Sequence, residues 1–147
     1  MGSEMCIRDR YHEQGFVKLF AGSGGYKDGE QLRDFVWVDD VVDVNLHFLE
    51  HPEVNGVFNV GTGRAQSFND VATAVLNTLE AENKSTAEWV SLGKIKYIEF
   101  PQALVGKYQS YTKADLNNLT ISGAYNKSFA KVEQGVKSYV EQLQAAK

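Results

Sequence analysis

The chain has 147 residues, and 15 Lys and Arg against 19 Asp and Glu leave a formal net charge of -4. That balance excludes a general nucleic-acid surface, which needs a basic stripe to displace counterions, and no apolar run approaches the roughly 20 residues of a membrane span. Cys6 is the single cysteine, so neither an internal disulfide nor a cysteine-rich zinc site is available, and a cytoplasmic protein with an ordinary buried core is expected.

Met1 to Arg10 has neither the apolar centre of a signal peptide nor a clear helical stripe. Met5 to Arg10 resembles translated sequencing-adapter sequence, so residues 1–10 are set outside the fold as a non-native or disordered terminus, and residues 11–147 carry it. Val17 to Phe20 reads as a short strand, and Gly22 to Leu32, with four glycines, as a loop. Asp34 to Val38 is β-branched and aromatic, a buried strand by composition. Asp39 and Asp40 suit the start of a helix, whose Val41, Val44, Phe48 and Leu49 share a face before Pro52.

Val57 to Val60 is the next expected strand, ended by Gly61-Thr62-Gly63. Ser67 and Asp70 form a capping box for a helix with Val71, Ala74, Val75, Thr78 and Leu79 inward. Glu80 to Gly93 is polar and reads as a loop with a frayed helical start. Lys94 to Phe100 is a strand stopped by Pro101. Thr112 and Asp115 make a second capping box before a short helix with Leu116 and Leu119 inward, ended by Gly123. Phe129, Val132, Val136, Tyr139, Val140 and Leu143 mark a terminal helix. The alternation defines an α/β fold: part of a parallel sheet within Val17 to Val60, and a smaller lobe behind it.

Two glycine clusters fail as dinucleotide fingerprints, because the sixth position is Lys27 after Gly22 and Gln66 after Gly61. A tyrosine activated by a lysine four residues on is also absent: the residues at that spacing are Gly15, Glu30, Pro101, Thr112, Asp115, Phe129 and Leu143. No catalytic residue is therefore assigned. His47 and His51 lie one helical turn apart without a third ligand, so no metal site is assigned either.

The basic residues say more. Arg33 directly precedes the expected strand 34–38, where a forked guanidinium suits bidentate phosphate contact. Lys107, Tyr108, Gln109, Tyr111 and Thr112 form a donor-rich aromatic cluster. Tyr108 can stack on a base, donate to a phosphate, or simply anchor its loop.

Lys18-Leu19-Phe20-Ala21-Gly22-Ser23, Arg33-Asp34-Phe35-Val36-Trp37-Val38 with Asp40-Val41, and Gly56-Val57-Phe58-Asn59-Val60-Gly61-Thr62-Gly63 together resemble the C-terminal half of extended short-chain dehydrogenases. Asp43-Val44-Asn45-Leu46, Gly63-Arg64-Ala65, Lys96 to Pro101 and Gly106 to Thr112 narrow the resemblance to the ADP-glyceromanno-heptose 6-epimerase family, over Tyr11 to the C-terminus. The resemblance implies a remnant of a Rossmann-type parallel sheet plus a small α/β substrate-binding lobe. It implies an NADP-dependent isomerase that inverts C6 of ADP-glycero-manno-heptose for lipopolysaccharide core synthesis, by hydride transfer to the cofactor and back.

It further implies that NADP and the catalytic groups sit in an N-terminal half outside this chain, that the fragment alone is inactive, and that the full-length enzyme is a homo-oligomer. Substrate contacts map by resemblance to Phe20, Ala21, Gly22, Ser23, Arg33 and Tyr108. Ala21 departs from the glutamate usual in that family. The alternatives are a fragment of another sugar-nucleotide epimerase or dehydratase, and a non-enzymatic ADP-binding or assembly module.

Overall fold

The computed structural model describes residues 3–145, with side chains from Ile7 onward. Met1 and Gly2, part of the segment read as non-native or disordered, lie outside the described residues. In chain order the elements are α1 (Ser3–Gln14), β1 (Val17–Phe20), β2 (Leu32–Arg33), α2 (Val38–Glu50), β3 (Gln66–Ser67), α3 (Phe68–Leu79), α4 (Thr86–Ser91), β4 (Ile95–Ile98), α5 (Asn117–Ile121) and α6 (Val132–Ala145).

β1 and β4 pair in parallel, from Val17 against Ile95 to Phe20 against Ile98. A parallel pair needs a long crossover, and here it carries α2, α3 and α4. Val17 and Leu19 alternate inward with the period of a strand. They meet Val71, Val75 and Leu76 of α3, Trp89 of α4, and Val132, Val136 and Val140 of α6 in one core. α3 begins as its sequence dictates: Ser67 Oγ accepts from Asp70 N–H, and the Asp70 carboxylate accepts from Ser67 N–H.

A smaller cluster joins Val44 of α2, Leu119 of α5 and Tyr125, with Phe48, Phe58, Leu116 and Phe129 against them. Val38, Val42, Leu46 and Leu49 point elsewhere and are exposed. Their spacing of four, four and three makes them a second stripe along α2.

Several expectations are corrected. Residues 3–14, which overlap the segment set outside the fold, form helix α1; Ile7 and Tyr11, four apart, dock into the main core, and the Tyr11 hydroxyl donates to Glu80 at 2.7 Å. Asp34 to Val38 is not a strand: Val38 opens α2, and Asp34 spends its side chain on backbone donors of other segments. Residues 57–60 join no sheet among the described residues, and Val57 is 90% exposed. Extended backbone becomes strand only when a neighbour completes its ladder, so the parallel pairing here is β1 with β4 instead.

Asp39 and Asp40 lie in the first turn of α2 without capping it; Asp40 accepts from Ala130 N–H instead. Leu49, expected inward, is 75% exposed. Thr112 and Asp115 form no capping box, since Thr112 Oγ1 accepts from Asp34 N–H and Asp115 Oδ1 from Asn117 N–H. The stretch read as a loop, 80–93, contains α4, started by a capping box of Ser85 and Glu88 and held by Trp89, whose indole N–H donates to Asn77 Oδ1.

Candidate substrate-binding site

β1 delivers Phe20 to the edge of the two-stranded sheet, and the chain then folds back over 21–31. Ala21 N–H donates to the Ile98 carbonyl, Gly22 N–H to Asp28 Oδ1, and Gly29 N–H to the Phe20 carbonyl. Gln31, 2% exposed, donates from Nε2 to the Ala21 carbonyl at 3.1 Å. Asn69, at the start of α3, pins this loop by donating to the Asp28 carbonyl and Glu30 Oε1 while accepting from the Tyr97 hydroxyl. Burial first, and then the negative charge of Asp28, push the Tyr97 phenol above its usual pKa, so it stays a donor.

Arg33 lies in β2, paired with Gln66 of β3. Its guanidinium sits 4.9 Å above the Tyr108 ring, a cation–π distance, and its Nη1 is buried without a hydrogen-bond partner. Tyr108 meets Phe20 and Phe100 edge-on at 6.2 and 5.4 Å, and those two phenylalanines meet at 5.4 Å. Beside these rings is a cavity of about 220 Å³ whose lining includes Phe20, Gln31, Phe68, Tyr108, Lys18 and Arg10. Aromatic walls with cations at the margin suit an anionic ligand carrying a flat or apolar part.

Of the residues expected to contact substrate, the fold brings Phe20, Arg33 and Tyr108 together. Phe20 and Tyr108 line the cavity; Arg33 does not line it but packs on the Tyr108 ring. Ala21, Gly22 and Ser23 occupy the loop leaving Phe20 and do not line it. The space a side chain on Gly22 would need is taken by the Tyr26 carbonyl oxygen, 2.5 Å from an ideal Cβ, so that glycine serves the closure of its own loop. Sequence reading missed Phe68, Phe100 and Gln31. The two phenylalanines look like ordinary core positions, and nothing local marks a loop glutamine as buried.

The Gly61-Thr62-Gly63 turn is closed around Asp34. Thr62 N–H and Oγ1–H donate to Asp34 Oδ1 at 2.7 and 2.6 Å, and Gly63 N–H and Ala114 N–H donate to Oδ2, each at 3.0 Å. The amides that would cradle a pyrophosphate thus already hold a carboxylate, and Gly63, at φ +68°, takes the left-handed form the turn needs. The residues present do not fit a dinucleotide here. The His47 and His51 rings lie 4.6 Å apart, tilted by 53°, with His47 Nε2 donating to the Gly123 carbonyl and His51 Nδ1 3.4 Å from Glu53. Among the described residues no cluster suits a metal ion, and no helix is long and apolar enough to cross a membrane.

Residues 7–61 match the NAD dependent epimerase/dehydratase family. Among solved structures, the UDP-Glc/GlcNAc 4-epimerase from Campylobacter jejuni aligns with a TM-score of 0.69 at 19% identity, over 97% of this chain and 40% of its own. The dTDP-glucose 4,6-dehydratase from Bacillus anthracis in complex with NAD gives 0.68 at 15%, over 97% and 38%. These two likenesses concern the fold alone. In sequence, the chain is 54% identical over 139 residues to ADP-L-glycero-D-manno-heptose-6-epimerase from Thiobacillus denitrificans, covering 92% of this chain and 42% of that relative. It therefore spans about two fifths of the relative's length.

Proposed function

We propose that this chain is the substrate-binding part of an ADP-L-glycero-D-manno-heptose 6-epimerase, in which Arg33 and Tyr108 hold the diphosphate of ADP-glycero-manno-heptose beside Phe20. The observation that carries this is the buried Arg33 Nη1, which has no partner although its guanidinium is fixed on an aromatic ring. An unmet charged donor is costly when buried, and a phosphate oxygen supplies the acceptor it lacks. The identity of 54% to the heptose epimerase favours that substrate over other sugar nucleotides and over a non-enzymatic module.

In this reading the chain binds and orients substrate, while NADP and the acid-base groups belong to a part of the enzyme it does not span. That assignment agrees with the missing glycine fingerprint and with the Gly61–Gly63 amides being spent on Asp34. The loop 21–23 shapes the approach to the site from beside Phe20. The whole enzyme would be a cytoplasmic homo-oligomer acting in lipopolysaccharide core synthesis.

The test joins this chain to the preceding part of the Thiobacillus denitrificans relative and titrates the product with ADP-heptose by calorimetry. Arg33→Lys keeps the charge but loses the planar pair of donors. A hydrogen bond to a charged group contributes roughly 1.5 to 3 kcal/mol, so the dissociation constant should rise about ten- to a hundredfold with the melting temperature unchanged. Unchanged affinity with a lowered melting temperature would make Arg33 a structural tether.

A further inference from the structure

We infer that Asp34 is a positioning residue for the Arg33–Tyr108 pair, an inference that rests on reading that pair as the diphosphate contact. The segment carrying Tyr108 is laid along β2 by a short parallel ladder: Leu32 N–H donates to the Ser110 carbonyl at 2.9 Å, and Thr112 N–H to the Leu32 carbonyl at 3.1 Å. The next rungs of such a ladder would run between the backbones of Asp34, Thr112 and Ala114. Side chains take them over. Asp34 N–H donates to Thr112 Oγ1 at 3.3 Å, and Ala114 N–H donates to Asp34 Oδ2 at 3.0 Å.

The same carboxylate holds Thr62 and Gly63, so one side chain ties β2, the Gly61–Gly63 turn and the segment 108–114 together. Arg33 stands between the two anchors, Leu32 and Asp34, and Tyr108 lies two residues before Ser110. The guanidinium therefore meets its ring at a separation set from both sides. The turn is fitted to this purpose: a Cβ on Gly61 would lie 2.6 Å from Ala114 Cβ and 2.7 Å from Asp34 Oδ2.

Asp34→Asn keeps the shape and removes the logic. Two donors converge on each carboxylate oxygen, so whichever oxygen becomes an amide NH2 faces N–H or O–H groups. The direct readout is the NMR spectrum of the isotopically labelled chain, in which the Tyr108 ring shifts the Arg33 side-chain signals upfield. Tyr108→Leu identifies that shift.

In Asp34→Asn the Arg33 signals should move to the positions they take in Tyr108→Leu, while methyl signals of Val71, Val75 and Leu76 stay in place. Thr62→Val, which removes one donor of four, should give a partial shift and serves if the asparagine variant fails to fold. Val140→Ala, a core change of comparable stability loss, should leave the Arg33 signals unmoved. Arg33 signals at wild-type positions in both Asp34→Asn and Thr62→Val would overturn the inference.

Titration with ADP separates this from the reading beneath it. If ADP moves the Arg33 and Tyr108 signals of the wild-type chain, Asp34→Asn should weaken its binding about tenfold; affinity unchanged despite lost stacking would overturn the role. If the stacking signature depends on Asp34 but ADP moves nothing, Asp34 positions the pair and the diphosphate reading fails.

Discussion

Around α3, every apolar stripe meets another: Val71, Val75 and Leu76 are fully buried between the parallel strands and α6. Around α2, one stripe does and one does not. Val44 and Phe48 pack toward Leu119 and Tyr125, while Val38, Val42, Leu46 and Leu49 stay exposed, as does Val57, in a segment that joins no sheet among the described residues. A helix apolar on two sides is written for burial on both. The α3 region is a lobe satisfied by its own residues, and the α2 region expects more fold than the described residues supply. The candidate site lies on the satisfied side, with Phe20 on β1 and Phe68 opening α3, which is why its geometry is already set.

The contrast between α3 and α2 is largest at Leu76. Leu76→Ala removes a side chain that is 0% exposed and should cost about 2 to 5 kcal/mol of stability, read by urea denaturation. Leu46→Ala, on the uncovered stripe, should change stability by no more than about 0.5 kcal/mol. Equal losses at the two positions would mean that α2 is buried after all.

The stripe should instead govern association. Exposed contiguous apolar surface drives self-association, so Leu46→Glu should raise the monomer fraction in sedimentation velocity while leaving the melting temperature within a few degrees. A wild-type chain that is already monodisperse and monomeric at tens of micromolar would contradict the contrast.

What the sequence made legible follows the same division. Ser67 with Asp70, the helical spacing of Val71 to Leu79, and the strands 17–20 and 94–100 are local signals, and the structure keeps them because their partners lie within the chain. Asp34 to Val38 and Val57 to Val60 read as strands by composition, but strand is a paired state and their pairing is not supplied here. The α4 helix is signalled by the Ser85 and Glu88 capping box, but the polar residues around it give no apolar stripe that would mark a helix. At the site, the residue types of Phe20, Arg33 and Tyr108 were readable from the family resemblance. The contacts among them were not, since they depend on a bridge between Leu32 and Tyr111, nearly eighty residues apart. Asp34 was read as the first residue of a strand, and nothing local reveals that its carboxylate gathers donors from two distant segments.

Epimerisation by the joined protein tests the account most directly. This chain, fused behind the preceding part of the Thiobacillus denitrificans heptose epimerase and purified from cells lacking their own enzyme, should interconvert the two C6 epimers of ADP-glycero-manno-heptose, followed by chromatography of the sugar nucleotides. The chain alone should leave either epimer unchanged. A folded, NADP-loaded fusion that inverts nothing, or inversion by the chain by itself, would contradict the assignment of this molecule to the substrate-binding part of that enzyme.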